Sequence, residues 1–258
     1  MSPPVTIAAG ARAVEFDGPG VIVLVDTSGG TVQTLMEPAA TWWRTLAATG
    51  NRHTAARTAG MSAGEANGLQ AALLAAGILT PAPRSTPWPA PLAGHDPGPS
   101  WGTRTAPVAL AVSPQPRRPA RIAASAGLIA AVLLTRIGPS HRSLARHLTL
   151  VRAVTRWNAL RRAPQADMAT ATEAVQAIRR IARWCPTRAA CLEQTTAAHL
   201  LLALRGYGAT WCQGVAPDPV RLHAWVEQTD TGRHVDEPAE TTAYTLILRI
   251  PGRRSPSA

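Results

Sequence analysis

Cys191, His223 and Asp236 follow one another through the last third of the sequence, and together they could perform acyl-transfer chemistry. A thiol is a weak nucleophile at its free pKa of about 8.5 and needs help to ionise. A helix N-terminus supplies partial positive charge, and an imidazole within hydrogen-bond reach takes the proton. A carboxylate can then hold the ring in the productive tautomer. Residues 191–208, CLEQTTAAHLLLALRGYG, read as a helix that Cys191 opens and that ends at Gly206 or Gly208. Residues 209–216 and 222–229 read as strands, 229–232 as a turn, 233–238 as a short strand stopped by Pro238, and 242–250 as the last strand. Strand alternation puts His223, Trp225 and Glu227 on one side of LHAWVE, with Trp225 as a wall against water. On RHVDEP the same alternation pairs His234 with Asp236 and turns Glu237 away, so Asp236 is the expected orienting acid.

The remaining thiols and imidazoles read as structural. Cys212, between Trp211 and Gln213, fits a small buried strand residue, and Cys185 precedes Pro186, which biases its backbone away from helix. His199, inside the helix, reads as a partly exposed or packed side chain. His53, His95, His141 and His147 have no acid or cysteine at a suggestive spacing. No Cys or His pair stands at zinc-finger spacing, so no metal site is expected.

The elements ahead of Cys191 are helical. Leu144, Leu148, Val151 and Val154, with Trp157, form one stripe within 140–162, and Val175, Ile178 and Ile181 another within 168–183. The arginines between them read as solvated faces. Ile122 to Thr135, an uncharged apolar stretch of 14 residues, is too short for the roughly 20 a membrane span needs and reads as a buried helix. The N-terminus lacks a basic start followed by an apolar run, and three cysteines, an odd number, argue against a disulfide framework. The expected setting is cytoplasmic and reducing.

At 258 residues with 46% hydrophobic residues, the chain can bury one large core or two small ones. All 26 basic residues are arginine, so no single Arg is a functional signal by its identity. The net charge of +11 is carried by residues 117–258, with 20 Arg and 9 acids. Such a surface attracts polyanions. However, no recognition helix, zinc spacing or row of stacking aromatics supports nucleic-acid binding, which ranks last among the alternatives.

Eleven of the 23 prolines fall within 81–119, which reads as a linker, with the run Val108 to Val112 as a strand inside it. Ahead of it, GVIVLVD (20–26) reads as a strand buried on both faces, TSGG as a turn, and TVQTLM (31–36) as its hairpin partner. Pro38 opens a helix bearing Trp42, Trp43 and Leu46. Ser62 and Glu65 form a capping box for a helix ending at Gly77, with Leu69, Leu73 and Ala76 facing the core.

CLEQTTAAHLLLALRGYGATWCQGVA followed by LHAWVEQ resembles the leader peptidases of lasso peptide biosynthesis, the B protein family. The resemblance covers roughly 117–250. It implies a transglutaminase-like, papain-related cysteine peptidase fold with Arg-rich N-terminal helices, with Cys191 as nucleophile, His223 as base and Asp236 as third member. GVIVLVDTSGGTVQTLMEPAATWW and the terminal AAGIL (75–79) are similar to the PqqD-like module that recognises leader peptides. That resemblance implies a small winged-helix-like domain of a hairpin plus three helices. The leader would add as a strand along Thr31, Val32, Gln33, Thr34, Leu35 and Met36 and pack on a helix at Leu69 and Leu73. The fold class is therefore α+β, with a recognition domain at 1–80, a linker at 81–119 and a peptidase domain at 120–258. The implied partners are a lasso precursor peptide and a separate asparagine-synthetase-like cyclase. The resemblance implies no intrinsic cofactor and links the family's activity to ATP only through the partner cyclase. An acyl transferase on the same fold and a non-catalytic leader-binding scaffold are the alternatives.

Overall fold

The computed structural model describes residues 4–16, 20–95, 118–185, 189–217 and 220–252. The chain divides into two compact units, Met1–Asp96 with Ala216–Arg221, and Pro97–Val215 with Leu222–Ala258.

β-Branched and apolar runs build the first unit. β1 (Val5–Ile7), β2 (Ala11–Phe16), β3 (Val21–Asp26) and β4 (Val32–Leu35) precede α1 (Ala39–Thr49), α2 (Arg52–Thr58) and α3 (Ala63–Ala75). β5 (Leu79–Pro81) and β6 (Leu92–Ala93) follow. The sheet order is β4-β3-β2-β6, and β5 pairs with β1 in a separate ladder. β3 and β4 form the expected antiparallel hairpin, with Val23 opposite Thr34. Asp26 builds its turn. Its carboxylate accepts from the Ser28 and Gly29 amides at 2.8 and 2.6 Å, and Gly30 takes a φ of +76° that a side chain would oppose. Ser62 and Glu65 make the reciprocal capping box of α3. Ile22, Leu24, Trp42, Trp43, Leu46 and Leu73 meet in the core.

Residues 81–95 do not behave as a linker. Trp88 is buried in that core, its amide donates to the Ala47 carbonyl, and its ring meets Trp43 edge-on at 5.9 Å. Proline density excludes helix but leaves extended chain free to pack, and Trp88 supplies the burial while Leu92 stays exposed. The strand read at Val108–Val112 lies outside the described residues.

The second unit begins with α4 (Arg118–Arg136), α5 (Ser143–Leu160), α6 (Met168–Ala182) and α7 (Cys191–Leu204). β7 (Thr210–Ala216), β8 (Arg221–Glu227) and β9 (Thr245–Ile250) form a sheet in the order β8-β7-β9, with β9 antiparallel to β7. α7 is the central helix. Its Ala197, Ala198, Leu201 and Leu202 are buried against α4 and α6, which is why its sequence is apolar nearly all round. It ends where Gly206 adopts a φ of +88°. Leu144, Leu148 and Val151 of α5 pack on Trp211, Ala224 and Ile250 of the sheet.

Two expectations are corrected here. The apolar stretch in α4 is not buried on all sides: Ala124, Leu128 and Ala131 face the core, whereas Ile122 and Ile129 are exposed. Residues 233–238 do not form a strand. They make one bridge, Glu227 with His234, and a hydrogen bond from the Val235 amide to the Val226 carbonyl, after which Asp236 turns at a φ of 52°. Asp, Glu and Pro are poor strand residues, and the left-handed turn ends the alternation. Among the described residues no helix is long and apolar enough to cross a membrane.

Candidate active site

Cys191 is the first residue of α7, after an extended Ala190. Helix start places it beside unpaired first-turn amides, which favour a negative sulfur. Its thiol donates to the Leu222 carbonyl at 3.9 Å, bringing the nucleophile candidate against β8. Thr195, one turn on, fixes the same approach by donating to the Ala224 carbonyl at 2.8 Å. Burial alone would push the Cys191 thiol up. The His223 imidazole and the amides of Ala224 and Leu192 outweigh it, so the thiol lies below its ordinary value.

His223 stands on β8 with its Nε2 donating to Glu237 Oε2 at 2.8 Å, which leaves Nδ1 for the sulfur. Its ring is stacked on Trp225, 5.9 Å between centroids and 17° between planes, with Tyr244 at 5.1 Å. Trp225 is itself fixed by donating to Glu227 Oε1 at 3.0 Å, and Glu227 accepts from Arg249 at 2.7 Å. Burial lowers the imidazole pKa, but Cys191 and Glu237 together overcome this and raise it to about 9. Sulfur and imidazole thus favour the charged pair, thiolate with imidazolium.

The acid at His223 is Glu237, not Asp236. Glu237 is 4% exposed at its side chain, whereas Asp236 is 28% exposed and bonds to Arg179 and Gln176. The positive φ at Asp236 rotates the chain by one side-chain position, so the neighbour meets the imidazole. The sequence carried one warning, since a D-E-P ending lacks strand propensity and strand alternation cannot be extended through it.

A cavity of about 170 Å³ opens between these groups, lined by Val175 and Arg179 of α6, Cys191 and Gln194 of α7, His223 of β8, and Glu237. Gln194 donates to the Ala189 carbonyl at 2.8 Å. Beneath the helix start runs a buried chain that the spacing of residues did not suggest. Glu193 accepts from the Ala190 amide at 3.0 Å and from the Thr135 hydroxyl at 2.8 Å. A hydroxyl has one proton, so Thr135 accepts from His147 Nε2 at 3.0 Å, and His147 Nδ1 accepts from Thr196 at 2.9 Å. Burial lowers the His147 pKa to about 4, so this imidazole is neutral near pH 7. Cys212 is buried in β7, its thiol pushed up by burial and by Glu227. Among the described residues no group of three or more His, Cys, Asp or Glu stands ready for a metal ion.

In the first unit, β4 is an outer strand of its sheet, with Gln33, Thr34 and Met36 exposed and Thr31 and Val32 half-buried. Leu35 and Leu73 lie in the core and Leu69 packs against it. The expected ligand contact at Leu73 is therefore corrected: the spacing that marked this leucine marks the face α3 turns to its own sheet.

Residues 131–249 match the family model of the transglutaminase-like superfamily. This segment, which holds Cys191, His223 and Glu237, is thus a transglutaminase-like domain, a class usually made of cysteine-based enzymes. No curated protein and no solved structure matches the chain.

Proposed function

We propose that the chain is a cysteine leader peptidase that removes the leader of a lasso precursor peptide. The observation that carries the reaction is Cys191 at the start of α7, facing a His223 that Glu237 braces at 2.8 Å. The finer reading is supported by the resemblance of CLE and HAWVE, and by a separate unit with an open strand edge at β4. The leader pairs with β4 through backbone bonds. One chain carrying both sites raises the effective concentration of the scissile bond.

The Cys191 thiolate attacks the carbonyl of the last leader residue, and the His223 imidazolium protonates the departing amine of the core. The Cys191 amide, at the helix start, faces the oxyanion. Water, deprotonated by His223, then hydrolyses the thioester and frees the leader. The liberated core amine is the group a separate asparagine-synthetase-like cyclase joins into a macrolactam. ATP belongs to that partner's step. This sequence has no P-loop or GxGxxG, and no step above runs through a nucleotide.

Acyl transfer to an amine is the second reading, because the superfamily match is consistent with both outcomes. The test is mass spectrometry of a lasso precursor incubated with wild type and Cys191→Ala, with and without cyclase and ATP. Cleavage at one leader–core bond by wild type alone supports the peptidase. An amide product formed with an added amine supports the transferase. Binding without reaction in every mixture leaves a recognition scaffold. Backbone N-methylation of alternate leader residues should weaken binding at least tenfold if the leader adds as a strand.

A further inference from the structure

Arg179 projects from α6 into the cavity of Cys191 and His223, and its two terminal nitrogens are both engaged. Nη2 donates to Glu237 Oε1 at 2.5 Å, and Nη1 to Asp236 Oδ2 at 3.0 Å and to the Asp236 carbonyl. The other oxygen of Glu237 accepts from His223 at 2.8 Å and from Thr241 at 3.3 Å. Glu237 is therefore clamped between a guanidinium and an imidazole. The same guanidinium ties both the side chain and the backbone of the residue with the left-handed φ. Two adjacent carboxylates, one of them buried, repel each other unless a cation lies between them. A forked guanidinium meets both, which a point charge cannot do. Because every basic residue in this chain is arginine, geometry and not residue type marks this one.

We propose that Arg179 is a positioning residue of the reacting pair: by clamping the turn at 236–237 it aims Glu237 at His223. The proposal rests on the reading of Cys191 and His223 as nucleophile and base. The polar groups facing Glu237 are Arg179 from α6, His223 from β8 and Thr241 from the turn before β9, with Asp236 adjacent. Gln176 of α6 holds Asp236 at 3.2 Å, and Cys191 of α7 lies beyond the imidazole. Removing the guanidinium takes positive charge from the site. The freed turn lets Glu237 leave the imidazole and so support the imidazolium less, and the uncompensated carboxylates disfavour the thiolate. Both routes move thiolate formation to higher pH.

The experiment measures the rate of Cys191 alkylation by iodoacetamide against pH in the full chain, by mass spectrometry of the tryptic peptide 189–205. This peptide separates Cys191 from Cys185 and Cys212. Arg179→Met should raise the pH at which alkylation begins by about 1 unit, and Arg179→Lys should restore part of the shift. In a Glu237→Gln background Arg179→Met should add little, because the arginine acts through that carboxylate. Arg179→Gln serves the same comparison if the Met variant does not fold. An unmoved profile, or the full shift repeated in the Glu237→Gln background, overturns the proposal. A wild-type profile beginning near the ordinary thiol value of about 8.5 overturns the underlying Cys–His reading instead.

Discussion

Asp236 and Glu237 carry the same charge one residue apart, and only one of them touches the imidazole. Glu237→Gln should lower kcat by roughly 10²- to 10⁴-fold, as loss of a ring-orienting carboxylate does, while Asp236→Asn costs less than about tenfold. Steady-state kinetics on the precursor decides between them. The imidazolium must protonate the leaving amine, and its pKa is raised to about 9. kcat/KM should therefore fall as pH rises through about 9, and rise on the acid side as the lowered Cys191 thiol ionises. The placement of Cys191 at a helix start and of His223 on a strand was legible in the sequence, because helical and strand periodicities are local. The acid was not, because a left-handed residue interrupts the alternation and no local signal states its φ.

Among the elements, Thr195 and Thr196 are polar residues on the otherwise largely apolar α7. Their hydroxyls are spent on the Ala224 carbonyl and on His147, one tying α7 to β8 and the other to α5. The chain from Glu193 through Thr135 and His147 to Thr196 links three helices under the nucleophile. His147→Ala takes the acceptor from the buried Thr196 hydroxyl and opens a gap between α4, α5 and α7, and should cost about 2–4 kcal/mol in urea unfolding. Pairings of this kind join residues tens of positions apart, and spacing along a sequence does not report them. The hairpin, the capping box and the helices of both units were legible, since periodicity and cap residues are local. The role of Trp88 was not, because its burial depends on Trp43, 45 positions earlier. Trp88→Ala should destabilise the first unit by about 3–5 kcal/mol, read as faster hydrogen exchange across α1.

Across the whole molecule, charge and buried imidazoles set the response to pH. His147 and His199 are both lowered to about 4 by burial, so they fold neutral, whereas an unfolded chain protonates them near 6.5. Stability from these two groups is full above about pH 6.5 and is lost as pH falls toward 4. His223 works in the opposite sense: its folded value is raised, so its contribution is full below about 6.5 and is lost as pH rises through about 9. Thermal midpoints should therefore drop between pH 6.5 and 4, and His199→Phe should flatten that drop. The division into two units was legible from proline density and from the jump in arginine content. The outer limit of the first unit was not, since an extended proline-rich strand and a packed one share a composition.

If Cys191 is the nucleophile, an acyl bond to its sulfur must form during turnover. Acid quenching of wild type during its reaction with precursor, followed by mass spectrometry of the peptide 189–205, reads that bond. A leader-mass thioester on Cys191 is expected, absent from Cys191→Ala, with free core peptide released alongside it. Cleavage that persists in Cys191→Ala, or a leader adduct on another residue, overturns the assignment of Cys191.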